Sequence, residues 1–106
     1  MTMSIYDLEQ RIAQRARERP EGSYTVRLLD AGVEKCAKKT GEEAVEFALA
    51  AMKGNREETL GEAADLMYHL LVTLRSRGIS LKEVEEILAL RDAQQALDPK
   101  ANHRGT

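Results

Sequence analysis

The sequence predicts an all-α fold, a helical bundle of four to five helices that is completed by dimerisation. Alanine, leucine, glutamate, lysine and arginine dominate the composition, and all of them favour helix. Proline occurs only at Pro20 and Pro99, so little interrupts a helix between those positions. Apolar residues recur at helical spacing in several segments, whereas no segment alternates as a half-buried strand does.

A long helix and a short one are predicted in the first third of the chain. The first helix covers residues 4–19, with Ser4 as its cap and Pro20 just beyond its end. Its narrow apolar stripe consists of Ile5, Leu8 and Ile12. The short second helix follows Ser23 and stops at Gly32.

Two further long helices are predicted over residues 33–53 and 56–77, separated by Gly54 and Asn55. Gly41 lies inside the first of them, where glycine costs about 1 kcal/mol relative to alanine. Such a glycine indicates either the close approach of another backbone or a ligand, or tolerated slack. The stripe predicted as the core side of the second long helix consists of Leu60, Ala64, Met67, Leu71 and Leu74.

A last helix is predicted from the capping box Ser80-x-x-Glu83. From about Asp92 the sequence turns polar. We therefore predict one helical domain over residues 1–91 and a polar C-terminal tail over residues 92–106. Because the amphipathic helices carry more apolar surface than one small bundle can bury, we also predict a homodimer.

Charge, hydropathy and cysteine content narrow the function classes. The net charge of −2 does not indicate a nucleic-acid surface, and no apolar run approaches the roughly 18 residues that span a bilayer. Cys36 is the only cysteine, which excludes an intramolecular disulfide. We interpret it as a packed thiol, since no base stands near it in sequence. A soluble cytoplasmic protein without nucleic-acid or membrane partners is predicted.

Two acidic pairs, Glu43-x-x-Glu46 and Glu62-x-x-Asp65, carry the chemistry. The spacing places both members of a pair on one helical face. If the two helices lie side by side, four carboxylates converge and need a compensating cation. Carboxylate oxygens are the ligands that Mg²⁺ prefers, and Mg²⁺ also binds substrate phosphates. The alternative is a solvated acidic face, since charged residues make up 32% of the chain.

The lysines before the first acidic pair are candidate phosphate ligands. Lys39 lies one turn before Glu43 on the same face, so its ammonium can reach a phosphate that the metal also holds. Lys38 points about 100° away from Lys39. We predict that Lys38 either assists in phosphate binding or pairs with Glu42 or solvent.

His69 lies one turn beyond Asp65, and both fall within about 60° of Glu62 around the helix, away from the leucine stripe. The imidazole could hold a carboxylate, bind substrate or act as a base. A satisfied structural histidine is the alternative, and it is the more frequent case.

These motifs resemble those of the phosphoribosyl-ATP pyrophosphatase family of histidine biosynthesis. The resemblance rests on three segments and covers about residues 5–91. The segments are SYTVRLLDAG, KKTGEEAVEFALAA and EAADLMYHLLVTLRSRGISLKEV. The acidic pairs alone would indicate only the wider all-α nucleoside triphosphate pyrophosphohydrolase superfamily, which includes the MazG-type enzymes.

The resemblance implies a dimeric helical enzyme that uses Mg²⁺ to hydrolyse phosphoribosyl-ATP to phosphoribosyl-AMP and pyrophosphate. It implies that the metal-binding and catalytic set is Glu43, Glu46, Glu62 and Asp65, with Glu42 close to it. Lys39, Lys38 and His69 are the candidate substrate-binding residues. Two alternatives stay open. One is a MazG-type enzyme that hydrolyses free or damaged nucleotides, and the other is a non-catalytic helical dimerisation module.

Overall fold

The computed structural model describes residues 2–97, which form five helices and, within that range, no strand. The predicted all-α fold is confirmed. The helices are α1 (Ile5–Glu18), α2 (Tyr24–Ala31), α3 (Val33–Lys53), α4 (Arg56–Ser76) and α5 (Leu81–Leu97). None of the helices in the described range is both long enough and apolar enough to cross a lipid bilayer.

Side-chain caps start α1 and α5 where the sequence predicts them. The Asp7 N–H donates to Ser4 Oγ at 3.1 Å, and the Ser4 N–H donates to the Asp7 carboxylate at 3.0 Å. Ser80 and Glu83 repeat this arrangement, with the Ser80 N–H donating to Glu83 Oε2 at 2.8 Å. Each box satisfies backbone donors that a helix start leaves without partners.

A two-residue connection joins α3 to α4. Gly54 ends α3 with φ 79°, a left-handed conformation that glycine adopts without strain, and its N–H donates to the carbonyls of Ala50 and Ala51. Asn55 then caps α4 by accepting a bond from the Glu58 N–H at 3.0 Å. So short a connection makes the two helices antiparallel neighbours, and their mutual contact is the most extensive in the bundle.

The core draws buried residues from each of the first four helices. It consists of Ile12, Leu28, Cys36, Leu71 and Val72. Cys36 is 1% exposed, and its thiol donates to the Leu28 carbonyl at 3.2 Å. Burial raises the pKa of the thiol, which suppresses its nucleophilic form. The prediction of a packed thiol is confirmed.

The predicted leucine stripe of α4 is wrong at its amino end. Leu60 is 58% exposed and Met67 50% exposed, whereas Leu71 is 3% exposed. The reason is that the core cluster joins α1 and α2 to Leu71 and Val72 in the second half of α4, and none of its described residues comes from the first half. Gly41 has no close neighbour either, since a Cβ built on it would meet nothing within 4 Å in the described residues.

Helix α5 is attached to the bundle at its first turn. Glu9 Oε2 accepts a hydrogen bond from the Leu81 N–H at 2.6 Å, and Leu81 packs against the core. Farther along, Ile87, Leu88 and Leu90 are exposed. The helix continues to Leu97, so the start of the predicted polar tail is helical; residues 98–106 of that tail lie outside the described residues. The domain boundary stays a prediction.

Candidate metal centre between α3 and α4

The register of the α3–α4 pair brings the two acidic motifs together. In an antiparallel pair, residues at equal distance from the connection stand at the same level. Glu46 and Glu62 are almost equidistant from the Gly54–Asn55 connection, and so are Glu43 and Asp65. The i, i+3 spacing then turns both members of each pair towards the facing helix.

Three of the four predicted carboxylates converge. Glu43, Glu62 and Asp65 each offer an oxygen, and these oxygens all lie within 4.8 Å of one another. The Oε2 atoms of Glu43 and Glu62 are shielded from solvent, and no donor in the described residues bonds to them. Buried acceptors without a donor are costly. A hard divalent cation would satisfy them, so the donor set fits Mg²⁺.

Burial, followed by the proximity of other carboxyl groups, raises the pKa of two glutamates at this point. Partial burial raises the pKa of Glu43, and the adjoining carboxyl of Glu46 raises it further. For Glu62 the pKa is raised by burial first and then by Glu46 and Asp65. Glu46 is exposed and stands outside the converging three, but it acts on both glutamates. Each shift means that the site disfavours its own negative charge when no cation is bound.

Glu42 pairs with Lys39, whereas the sequence offered Lys38 as its partner. Lys39 Nζ lies 3.4 Å from Oε1 of Glu42, and this interaction, followed by the proximity of Tyr24, raises the pKa of the ammonium. Glu42 is therefore held by Lys39 and not by Lys38, which is exposed. Glu42 also lies outside the converging three carboxylates. Its role as a metal ligand stays a prediction, as do the roles of both lysines.

His69 is buried, with 7% of its surface exposed. Its Nδ1–H donates to the main-chain carbonyl of Asp65 at 2.8 Å, and in the neutral ring Nε2 accepts a bond from the Tyr24 hydroxyl at 3.2 Å. The expectation that His69 holds the Asp65 carboxylate is wrong, because the bond goes to the backbone. Both ring nitrogens have partners, as the structural interpretation predicts; substrate binding by His69 stays a prediction.

Sequence reasoning missed several residues beside the centre. Tyr24 bonds to His69, and Thr25 bonds through its hydroxyl to Tyr68. These partners lie more than forty positions apart along the chain, so no spacing rule connects them. Glu58 is one of the groups that raise the pKa of Glu62. The i, i+4 spacing of Glu58 and Glu62 on α4 could have indicated this interaction from the sequence.

Comparison with known proteins identifies the family. The sequence profile described as phosphoribosyl-ATP pyrophosphohydrolase matches residues 5–92 of the chain. The chain belongs to this family. The family predicted from the three motif segments is thus confirmed, and its match covers α3 and α4, the helices that carry both acidic pairs.

Curated members of the phosphoribosyl-ATP pyrophosphohydrolase family are similar along nearly the whole chain. Phosphoribosyl-ATP pyrophosphatase 1 of Bradyrhizobium diazoefficiens is 50% identical over 101 residues, which cover 95% of each chain. The phosphoribosyl-ATP pyrophosphatase of Methylobacterium nodulans is 48% identical over 103 residues, covering 97% of this chain and 96% of the relative. That of Paracoccus denitrificans is 44% identical over 100 residues, covering 94% and 93%.

Proposed function

We propose that this chain hydrolyses phosphoribosyl-ATP to phosphoribosyl-AMP and pyrophosphate in histidine biosynthesis, with Mg²⁺ as its cofactor. The observation that carries the proposal is the convergence of three carboxylates, two of which present buried oxygens without a donor. Membership of the family supports the choice of substrate, since the similar curated proteins are named phosphoribosyl-ATP pyrophosphatases.

Each acidic residue has a part in this proposal. Glu43, Glu62 and Asp65 would hold the ion through their converging oxygens. Glu46 completes the set, since it adjoins both glutamates and is exposed. The ion, when bound, neutralises charge on the triphosphate and polarises the phosphorus that is attacked. Lys39, one turn from Glu43, is placed to contact a phosphate of the same group.

The hydrolysis needs no covalent nucleophile. A water oxygen forms a bond to phosphorus at the α/β junction of the triphosphate, and the bridging P–O bond breaks. Pyrophosphate leaves, and phosphoribosyl-AMP remains. The proton of the attacking water passes to a carboxylate of the site that is not fully committed to the metal.

The decisive assay compares phosphoribosyl-ATP with ordinary nucleoside triphosphates, each with and without Mg²⁺. The proposal expects Mg²⁺-dependent release of pyrophosphate with the larger kcat/KM for phosphoribosyl-ATP. A preference for ordinary triphosphates would indicate a MazG-type activity instead. No turnover of any of them with Mg²⁺ would favour the dimerisation module with a solvated acidic face.

We also propose that the protein acts as a cytoplasmic homodimer. The support is the apolar surface that a single chain leaves exposed on α3, α4 and α5. It includes Val45, Leu49, Met52, Leu60, Met67, Ile87 and Leu88. A contiguous apolar patch on a soluble protein marks an association site, and exposed apolar side chains on three helices of so small a chain are consistent with one. Sedimentation should give twice the mass of one chain at micromolar concentration, and a stable monomer would contradict the proposal. Cell fractionation tests the location.

A further inference from the structure

A second concave surface lies beside the metal centre, between α2 and α3. It is a cavity of about 280 Å³ lined by Tyr24, Arg27, Leu28, Ala31, Lys35 and Lys39. Half of the lining residues are cations and none is acidic, although the whole chain has a net charge of −2. Its volume lies just below the range of pockets that hold a whole drug-sized ligand, so it suits one part of a larger anionic molecule.

Two of the three cations of this cavity, Arg27 and Lys35, have no ion pair among the described residues, whereas Lys39 is paired with Glu42. The Arg27 guanidinium lies 5.5 Å from the centroid of the Tyr24 ring and donates to the Gly22 carbonyl at 3.4 Å. Within residues 2–97 no carboxylate pairs with Arg27 or with Lys35. Asp30, the acidic residue of α2, is held instead by a bidentate contact with Arg19.

The cavity adjoins the metal centre through two of its lining residues. Lys39 lies one turn of α3, about 6 Å, before Glu43, and the charge of Glu43 contributes to the raised pKa of its ammonium. The Tyr24 hydroxyl is hydrogen-bonded to His69 Nε2, and His69 Nδ1–H in turn donates to the main-chain carbonyl of Asp65. The cavity and the carboxylates are therefore neighbouring parts of one surface.

We propose that this cavity binds the 5′-phosphate of the phosphoribosyl group of the substrate, with Arg27 and Lys35 as specificity-determining residues. The inference rests on the proposed function of the metal centre. Phosphoribosyl-ATP differs from an ordinary nucleoside triphosphate by one ribose phosphate, so selection needs positive charge away from the triphosphate site. Lys35 provides it about 12 Å along α3 from Glu43, a separation that a nucleoside spans, and Arg27 provides it on α2.

The arrangement also explains why Arg27 can select. An arginine held against an aromatic ring loses little side-chain freedom when it binds, and its planar fork matches a phosphate. Lys39, already paired with Glu42, stands between the two phosphate sites and can contact either one. A substrate without the second phosphate leaves Arg27 and Lys35 unused.

The test measures binding without turnover, by titrating the metal-free protein with phosphoribosyl-AMP and with AMP. The wild-type chain should bind phosphoribosyl-AMP more tightly than AMP. Arg27→Gln should reduce that preference about tenfold, and Lys35→Ala, which removes a side chain without a hydrogen bond or ion pair among the described residues, should reduce it less. Arg27→Lys should recover part of it. Arg11→Gln, an exposed charge on α1, is the matched control and should keep the full preference.

Kinetics provide the second measurement. For phosphoribosyl-ATP, Arg27→Gln should raise KM about tenfold while kcat stays near the wild-type value. Equal preference in Arg27→Gln and wild type, or no preference for phosphoribosyl-AMP in the wild type, would overturn the inference. Failure of the wild type to hydrolyse phosphoribosyl-ATP would overturn the proposed function instead, so the two failures are distinguishable.

Discussion

The two halves of α4 differ in what they contribute. In its carboxyl-terminal half, residues 68–76, the helix packs against α1, α2 and α3, and Leu71 and Val72 are almost completely buried. In its amino-terminal half, residues 56–67, no described residue belongs to the core cluster, Leu60 is exposed, and the carboxylates of Glu62 and Asp65 lie close to Glu43. We call these the core half and the site half.

The contrast shows how one helix separates stability from chemistry. Burial in the core half fixes α4 against its neighbours, because each buried apolar side chain contributes about 1.5–3 kcal/mol. That rigidity lets the site half hold Glu62 and Asp65 opposite Glu43 despite their mutual repulsion. Substitutions in the core half should therefore change folding, and substitutions in the site half should change activity.

The largest expected effect lies in the core half. Leu71→Ala should lower the free energy of unfolding by about 2–5 kcal/mol, because it leaves a cavity in the core. Leu60→Ala is the matched control in the site half. If Leu60 is covered only by a second copy, its effect on the denaturation midpoint should depend on protein concentration, whereas that of Leu71→Ala should not. If Leu60→Ala lowered the free energy of unfolding as much as Leu71→Ala does, independently of protein concentration, the distinction between the core half and the site half would be wrong.

In the site half, Glu62→Gln should reduce kcat/KM for phosphoribosyl-ATP about 100-fold or more, since even groups that only orient a metal ligand typically cost 10–100-fold. Far-UV circular dichroism should show no loss of helix. The control is Glu57→Gln, an exposed carboxylate on the first turn of α4, which should keep normal turnover. Undiminished activity in Glu62→Gln would contradict the proposal that Glu62 is a ligand of the metal centre.

His69 stands at the junction of the two halves, so its substitution should have an intermediate effect. It bonds to the Asp65 backbone and to the Tyr24 hydroxyl without reaching a carboxylate. His69→Ala should therefore reduce kcat about tenfold, less than Glu62→Gln does. Steady-state kinetics on both variants decide this. A loss as severe as that of Glu62→Gln would give His69 a direct part in the reaction.

The smallest effect concerns pH and the stability of the metal-free protein. The raised pKa of Glu62 means that the folded chain holds its proton more tightly than the unfolded chain does. Above the ordinary pKa of a glutamate, about 4.3, the folded chain thus binds more protons than the unfolded chain. The contribution of the Glu62 carboxyl to the free energy of unfolding therefore falls as pH rises through the raised pKa. Glu62→Gln removes this dependence on pH, because glutamine does not ionise.

Thermal melts in a chelator should therefore show Glu62→Gln gaining stability over the wild type as pH rises across this window. Asp30→Asn is the control with the opposite sign, because the contact with Arg19 lowers the pKa of Asp30. Its stabilising contribution is present above the ordinary aspartate pKa and is lost as pH falls. A constant difference between Glu62→Gln and wild type at every pH would contradict the crowding of the carboxylates.

The sequence predicted the helices and the pairing of the acidic motifs because both follow from local rules. Ser4, Ser80, Gly54 and Asn55 end or begin helices by chemistry confined to a few residues. The short connection then forces α3 and α4 into an antiparallel pair. The i, i+3 spacing of the acidic residues places both members of each pair on the face that meets the other helix.

What the sequence did not predict depends on which faces are covered. The helical periodicity of apolar residues assigns Leu60 and Leu71 to one stripe of α4. It cannot show that Leu71 packs with residues of α1 and α2 whereas Leu60 stays exposed. The depth of His69 and the cavity at Arg27 arise from contacts between α2 and residues on other helices. Such long-range packing leaves no periodic signal in a single sequence.

The central claim is that Glu43, Glu62 and Asp65 bind a divalent cation. Its most direct test is the thermal midpoint of wild type and Glu62→Gln as Mg²⁺ is titrated into chelator-treated protein. The wild-type midpoint should rise steadily with concentration, because binding to the folded state adds about 2.7 kcal/mol at 100 times the Kd. The rise should be largely lost in Glu62→Gln. Equal shifts in the two proteins, or none in the wild type, would contradict the account.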